Sequence, residues 1–217
     1  MGLSAGYGGL IRAVFPVIFA LTAGCAGSGQ MVPLDVVPKL PPAQALAAEP
    51  VKIVIEPFED RRADTGKLGY RTHLGGGFTY FNVAGGKVGD TAAETMAETL
   101  RQQGWQRRGW DARVVQSGVA VSGADIIVTG EVLELATNAK SRFFSTVITA
   151  ECKMVIKASN LKDGSVTTRN VEGALTQTVF WFEHSDVRKM VGLVLKDGFD
   201  RFVTDTKIED GTIKSVR

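Results

Sequence analysis

Hydrophobic and polar residues alternate along the second half of the chain. In residues 145–159, small or apolar side chains occupy every second position, and Glu151 and Lys153 stand between them. The apolar positions of this segment are Ile148, Ala150, Cys152, Met154 and Ile156. The alternation predicts a strand that buries one face, with the Cys152 side chain in the core. Further runs of strand-forming residues predict strands in residues 51–56, 111–118, 124–137 and 165–182.

Two other segments repeat apolar residues at helical spacing. The first predicted helix begins with Asp90 as its N-cap and ends at Gly104. The second follows Ser185 as its N-cap and covers residues 186–204, with charged residues such as Lys196 opposite its apolar side. Both helices are therefore predicted to be amphipathic and to pack against a sheet.

The order of these elements predicts the fold class. A strand, a helix, several strands and a second helix indicate an α+β fold, in which two amphipathic helices cover one face of a mainly antiparallel sheet. Asp163 and Gly164 form a hairpin signal between the last two predicted strands. The Gly-rich segment after the first strand predicts a long loop with a short hairpin around residues 71–81. We expect one domain over residues 51–208 and a C-terminal tail over residues 209–217.

The N-terminal segment has the pattern of a secretory signal. Residues 1–34 carry a single basic residue, Arg12, and the apolar run over residues 13–24 is shorter than the roughly 20 residues that span a bilayer. Small residues lead directly into Cys25. The stretch resembles a bacterial lipobox, although Thr22 stands where that pattern has an aliphatic residue. The resemblance implies a signal peptide over residues 1–24 and a lipid on Cys25.

The residues after Cys25 predict how the domain is held. Residues 25–50 contain five of the seven prolines and little charge, which is typical of an extended tether between an anchor and a domain. Within this tether, Val36 and Val37 are candidates to pack on the domain. Ala26 follows the cysteine instead of the Asp that marks inner-membrane retention. We therefore expect the chain to be anchored to the outer membrane and to face the periplasm.

The charge and the few chemically reactive residues exclude several classes of function. The chain has 25 Lys and Arg against 23 Asp and Glu, a net charge of +2, which gives no reason to expect a nucleic-acid partner. Cys25, Cys152, His73 and His184 are its whole supply of cysteine and histidine, and none has metal-ligand spacing. We expect no metal site and no cofactor.

Two motifs are candidates for catalysis. Residues 73–77 have the sequence HLGGG, similar to the oxyanion loop of some esterases. The predicted domain over residues 51–208 has no nucleophile elbow G-x-S-x-G, so a flexible or tightly turned loop is preferred. Asp60, Arg61, Arg62 and Asp64 place carboxylates beside guanidinium groups, which is more typical of an ion-pair network or a structural loop lock than of acid–base catalysis. No catalytic residue is predicted.

Aromatic residues supply the candidate interaction sites. Gly-Trp occurs twice, at Trp105 and Trp110, with two arginines between, and we expect one indole in the core and the other on the surface. Trp181 lies in the aromatic run at residues 180–184, which predicts a sheet end beneath the last helix or an exposed patch for a partner.

The chain resembles the YajG family of bacterial outer-membrane lipoproteins. The resemblance rests on the lipobox, on VKIVIEPFEDRR at residues 51–62, on the Gly104-Trp105 step, on ADIIVTGEVLEL at residues 124–135 and on NVEGA at residues 170–174 before the last helix. The chain is also similar to the TolB N-terminal domain, the curli secretion lipoprotein CsgG and the lipoprotein activators of peptidoglycan synthases. These resemblances imply an assembly or interaction role without catalysis.

The sequence therefore predicts a non-enzymatic module of the cell envelope, held to the membrane through a lipid on Cys25, that binds other envelope proteins. One alternative is a subunit of an oligomeric secretion or export apparatus, in which the chain would form a homo-oligomer. Another is a hydrolase that uses the Gly-rich loop.

Overall fold

A computed structural model describes residues 29–48, 51–115 and 123–216. Within these residues the chain forms eleven strands and two α-helices. In chain order they are β1 (Gln30–Leu34), β2 (Lys52–Ile55), β3 (Glu59–Asp60), β4 (Gly69–Thr72), β5 (Phe78–Val83), α1 (Val88–Gln103), β6 (Asp111–Val114), β7 (Ile126–Ser141), β8 (Thr146–Asn160), β9 (Val166–Val179), α2 (His184–Thr204), β10 (Thr206–Glu209) and β11 (Thr212–Ser215).

Strand β7 organises the main sheet. One edge of this 16-residue strand pairs antiparallel with β8 along its length, and β8 pairs antiparallel with β9. The other edge pairs in turn with β2, β3 and β4, all parallel to β7. Strand β6 extends the sheet beyond β2, whereas β5 and then β1 extend it beyond β4. The sheet is therefore an antiparallel meander joined to a mixed part built from short strands.

The helices α1 and α2 pack on this sheet and against each other, which confirms the predicted α+β class. The alternation predicted for β8 is also confirmed, because each of its five inward positions is at most 1% exposed. The hairpin predicted at Asp163 and Gly164 joins β8 to β9, and Gly164 adopts a φ of 72° that the turn requires. The hairpin around residues 71–81 is β4 and β5.

Both helices begin earlier than predicted. Helix α1 begins at Val88 with Lys87 as its N-cap, so Asp90 lies in the first turn, where its carboxylate interacts favourably with the positive end of the helix dipole. Helix α2 begins at His184, because the Glu183 backbone N–H donates to the Asp186 carboxylate over 2.8 Å and Glu183 is the N-cap in place of Ser185.

The residues predicted as a Pro-rich tether belong in large part to the domain. Residues 30–34 form β1, parallel to β5, and Leu34 and Val36 are buried in the core. Leu46 then forms a parallel bridge with Gly109. Proline in this segment is compatible with a strand, because β1 is an edge strand and Pro33 removes only one backbone donor. The packed domain therefore includes β1 and does not begin at the predicted boundary of residue 51.

The predicted C-terminal tail likewise differs from the structure. Residues 206–215 form the β10–β11 hairpin, and Ile213 is buried. The Asn160 side-chain amide donates to the Ile213 carbonyl over 3.0 Å, and the Asn160 side-chain carbonyl accepts from the Ile213 N–H over 2.8 Å. This pair of hydrogen bonds ties the hairpin to the end of β8.

A buried arginine fills a gap along the edge of β7. On the edge that pairs with β8, a β-bulge lies between Val132 and Glu134. On the other edge, β3 pairs with β7 as far as Val132 and β4 pairs from Thr137 onward. Arg62, 7% exposed, occupies this gap. Its guanidinium donates to the Leu135 carbonyl of β7 over 3.4 Å and to the Lys67 carbonyl over 3.0 Å. It therefore satisfies backbone acceptors that strand pairing does not reach.

Asp60 completes this structural lock. Its two carboxylate oxygens accept hydrogen bonds from Arg62 Nε and Nη2 over 2.8 and 2.9 Å. Burial raises the pKa of the Asp60 carboxyl, but the hydrogen bonds and charge of Arg62 outweigh that effect and hold the pKa below its usual value. Asp60 and Arg62 thus form a loop lock, one of the two structural roles that the sequence favoured for the charged cluster at residues 60–64.

The lock predicts a large loss of stability on truncation. We expect Arg62→Ala to lower the free energy of unfolding by about 3 kcal/mol, because it leaves Asp60 and backbone carbonyls without their buried partner. Urea denaturation of the variant, followed by far-UV circular dichroism, measures this loss.

The neighbouring Arg61 supplies the matched control. Its side chain is half exposed and pairs with Glu59 and Glu131 at the surface. We expect Arg61→Ala to leave the urea midpoint close to that of the parent protein. Equal losses in the two variants would contradict the lock.

Candidate functional site

Three chain connections meet at one end of the sheet. They are the turn at residues 73–77 between β4 and β5, the turn at residues 142–145 between β7 and β8, and residues 180–183 between β9 and α2. The strand register brings them together, because Thr72 is paired with Lys140, Ser141 with Thr146, and Thr146 with Val179. The five large apolar side chains presented here are Leu74, Phe143, Phe144, Phe180 and Trp181, and we call this surface the aromatic end.

The aromatic end is strongly exposed. Trp181 is 90% exposed, Phe143, Phe144 and Phe180 are each 81% exposed, and Leu74 is 58% exposed. Single exposed apolar residues are common on proteins, whereas several large ones on one surface mark a site of interaction. For residues 180–184 the sequence predicted either a sheet end beneath the last helix or an exposed patch, and Phe180 and Trp181 belong to an exposed patch. The prediction of a sheet end beneath the last helix does not hold for these two residues.

A shallow cavity of about 670 Å³ lies at the base of the aromatic end. Its lining includes Arg71 and Arg142 and contains no Asp or Glu. The Arg71 guanidinium lies 3.9 Å from the centre of the Phe182 ring, and Arg71 Nε donates to Ser141 Oγ over 2.9 Å. Arg71 therefore joins the three connections at their base, while Arg142 is exposed.

The turn at residues 73–77 is held by its own hydrogen bonds. The His73 N–H donates to the Gly77 carbonyl over 3.2 Å, and the Gly76 N–H donates to the His73 carbonyl over 3.1 Å. His73 Nε2 lies 2.8 Å from Thr79 Oγ1, within hydrogen-bond distance. Burial, and secondarily the charge of Arg71, lower the pKa of His73. The Gly-rich stretch is thus a closed turn that holds Leu74 out on the aromatic end.

A row of aromatic rings extends from the aromatic end across β4 and β5. The Tyr70 and Phe78 ring centres lie 5.4 Å apart, edge to face, and the Phe78 ring stacks with the Tyr80 ring at a centre-to-centre distance of 6.4 Å. Phe78 and Tyr70 are 42% and 38% exposed. The apolar surface therefore continues from the aromatic end to the strand that pairs with β1.

The chain enters the described domain at this same end. The Gly29 N–H donates to the Phe78 carbonyl over 2.8 Å, and Gln30 of β1 pairs with Thr79 of β5. Cys25, the predicted lipidation site, lies outside the described residues, four positions before Gly29.

The two other tryptophans have a structural role. Trp105 and Trp110 are 4% and 7% exposed, and their rings pack edge to face 5.5 Å apart. Trp110 Nε1 donates to the Trp105 carbonyl, and Trp105 Nε1 donates to Thr206 Oγ1. A side chain at position 104 would meet the Trp110 ring at 2.5 Å, so glycine there permits the packing. The expectation that one indole lies on the surface is wrong, and neither is available to a partner.

The core cysteine has a buried thiol of low reactivity. Cys152 is 1% exposed and its thiol donates to the Val194 carbonyl of α2 over 3.2 Å. Burial is the main cause that raises its pKa to about 12. The thiol is therefore protonated at neutral pH, and it contributes to the packing of α2 on β8.

The described part of the chain holds no group of His, Cys, Asp and Glu residues suited to a metal ion. Neither of its two helices has the length and apolar character needed to cross a membrane.

Comparison with known proteins identifies a similar fold. No protein-family model and no curated protein matches the sequence. Among solved structures, a Xanthomonas campestris protein of the DUF330 family model is similar over 80% of this chain and 92% of its own, with a TM-score of 0.50 and 10% sequence identity. At this identity the likeness shows the fold alone.

Two weaker similarities concern other bacterial proteins. PelC from Paraburkholderia phytofirmans, solved as a dodecamer, is 16% identical, with 71% of this chain and 91% of that chain covered and a TM-score of 0.36. A lipoprotein of Neisseria meningitidis is 11% identical, with 71% and 99% covered and a TM-score of 0.34. Membership of the YajG family stays a prediction from the sequence.

The exposure of the aromatic end predicts that its rings do not stabilise the domain. We expect the double variant Phe143→Ser, Phe144→Ser to change the free energy of unfolding by less than about 0.5 kcal/mol, because neither ring is packed in the core. Trp110→Ala is the buried aromatic control, with an expected loss of about 4 kcal/mol. Urea denaturation compares the two, and a large loss in the double variant would show that the turn has a structural role.

Proposed function

We propose that the protein is an outer-membrane lipoprotein that faces the periplasm and acts by contact with other envelope proteins, without catalysis. The observation that carries this proposal is the position of Gly29, which brings the predicted lipidation site within four residues of an exposed aromatic surface. The resemblance to the YajG family supports the same role.

The anchor and the domain lie close together under this proposal. Four residues span at most about 14 Å when fully extended. Strand β1 begins at Gln30, so the reach from Cys25 to the first strand is short. The domain is therefore held against the membrane surface, in contrast to the several nanometres that a Pro-rich tether of residues 25–50 would allow.

The residues with catalytic potential have structural partners, which supports the non-catalytic part of the proposal. The Arg62 guanidinium donates two hydrogen bonds to the Asp60 carboxylate beside β7. His73 Nε2 contacts Thr79 Oγ1 within its turn, and the Cys152 thiol donates to α2. Arg62 and His73 line different cavities, so the two sites are not joined into one catalytic centre.

Lipidation at Cys25 has a direct test. We expect cells that are fed a clickable palmitate analogue to label the wild-type protein and not Cys25→Ala, because the thiol of Cys25 is the attachment point. The analogue is detected by in-gel fluorescence after purification of the full chain. The same variant should leave the membrane fraction.

The chain provides its own control for this labelling. Cys152 is the other cysteine, and its buried, protonated thiol should accept no lipid. Cys152→Ala is therefore expected to keep full labelling. Label that persists in Cys25→Ala would refute the anchor.

The absence of catalysis is tested on the lipidated full-length protein. We expect no hydrolysis of a panel of esters and peptidoglycan fragments above a buffer blank, because His73 is engaged in its turn. Turnover that is lost in His73→Ala and kept in His184→Ala, the other histidine, would instead establish a hydrolase that uses the Gly-rich loop.

A further inference from the structure

We propose that the aromatic end is a membrane-docking surface, which enters the interfacial layer of the same bilayer that holds the lipid on Cys25. This inference rests on the proposed lipid anchor and adds a second attachment site, made by Leu74, Phe143, Phe144, Phe180 and Trp181. The occupant is a lipid surface, and three independent features of the molecule favour it.

The first feature is the position of the chain entry. The Gly29 N–H donates a hydrogen bond to the Phe78 carbonyl at the aromatic end. Cys25 is at most about 14 Å of extended chain away from Gly29. Strand β7 is three strands from β1 in the sheet, which at about 4.8 Å per strand is again about 14 Å. A lipid anchor on Cys25 therefore confines Phe143 and Phe144 to the vicinity of the membrane surface.

The second feature is the chemistry of the side chains. Tryptophan and phenylalanine are favoured at the membrane interface, where the rings leave water and the indole N–H remains near polar headgroups. Trp181 and the three exposed phenylalanines stand on short connections, so they can enter the interfacial layer without any strand leaving the sheet. Entry to a depth of about 5–10 Å would cover them.

The third feature is the charge around the rings. Lys140 and Arg142 are exposed beside Phe143, and Arg71 lines the base of the cavity. The carboxylates of Glu183, which is the N-cap of α2, and of Asp186, three residues later, accept backbone hydrogen bonds in the capping box of that helix. Exposed cations beside apolar rings are suited to a bilayer that contains anionic lipids.

The two attachments together fix the orientation of the domain. A lipid chain alone leaves the domain free to rotate about its anchor, whereas contact through the whole sheet end directs the long strands away from the membrane. The β8–β9 turn at residues 161–165 then lies at the distal end, roughly 50 Å away for a strand of 15 residues at about 3.3 Å per residue. This orientation presents the distal end to partners in the periplasm.

The test uses the full-length lipidated protein in vesicles of phosphatidylethanolamine and phosphatidylglycerol with brominated acyl chains. In the variant Trp181→Phe, only the buried Trp105 and Trp110 emit. Subtracting its fluorescence spectrum from that of the wild type gives the emission of Trp181. We expect Trp181 to lose most of its emission to bromine placed near the headgroups and to lose its accessibility to acrylamide.

The matched control places a tryptophan at the distal end. Leu161 is 51% exposed in the β8–β9 turn, and the double variant Trp181→Phe, Leu161→Trp moves the exposed indole to that position. Its emission should be unaffected by bromine and fully quenched by acrylamide.

The variant Arg142→Gln tests the contribution of charge. It should weaken the preference for phosphatidylglycerol vesicles by about fivefold, since one cation near an anionic surface has roughly that effect.

The outcomes separate the inference from the anchor on which it rests. Vesicle flotation with an unquenched, acrylamide-accessible Trp181 would overturn the docking surface and leave the anchor intact. Failure to float would overturn both. Protection of Trp181 from acrylamide without bromine quenching would identify a second copy of the chain as the occupant, and it would also overturn the inference.

Discussion

The structure depends on one strand that serves as the pairing partner of four others. β7 pairs with β8 along one edge, and along the other edge it pairs with β2, β3 and β4 one after another. Backbone groups buried in a sheet must find hydrogen-bond partners, so the register of β7 fixes where each short strand begins and ends. No strand pairs with this second edge between Val132 and Thr137, and Arg62 donates to the Leu135 carbonyl within that gap. A charged residue is thus buried because a backbone acceptor needs a donor there.

The same register assembles the aromatic end. Strand β4 is parallel to β7, and β9 runs in the same direction because both β7 and β9 are antiparallel to β8. The connections that follow these three strands therefore fall at one end of the sheet. Strand β1 is parallel to β5, which runs in the opposite direction to β4, so the chain also enters at this end. Strand pairing thus brings the exposed rings and the cations to the end of the sheet where Gly29 and β1 lie, although Trp181 is far from them along the chain.

Most regular elements could be predicted from the sequence, because their patterns are local. The alternation of β8, the turn at Asp163 and the apolar stripe of α2 are each set by neighbouring residues, and the structure confirms them. Prediction failed where a distant partner decides the outcome. The prolines of residues 25–50 indicated a tether, but pairing with β5 makes residues 30–34 a strand. Both Gly-Trp indoles are buried because Gly104 permits their contact, which composition alone did not reveal.

The sequence by itself determined the α+β class, the buried face of β8, the hairpin turn and the segments with amphipathic helices, because side-chain periodicity reports local burial. It also marked Cys25 as a candidate for lipidation and the aromatic run at residues 180–184 as a candidate surface for a partner. Only the tertiary structure decided which tryptophan is exposed, which backbone acceptors Arg62 binds and which surface lies beside Gly29 and β1. These features depend on the register and direction of strand pairing, which join residues far apart in the chain and leave no local pattern.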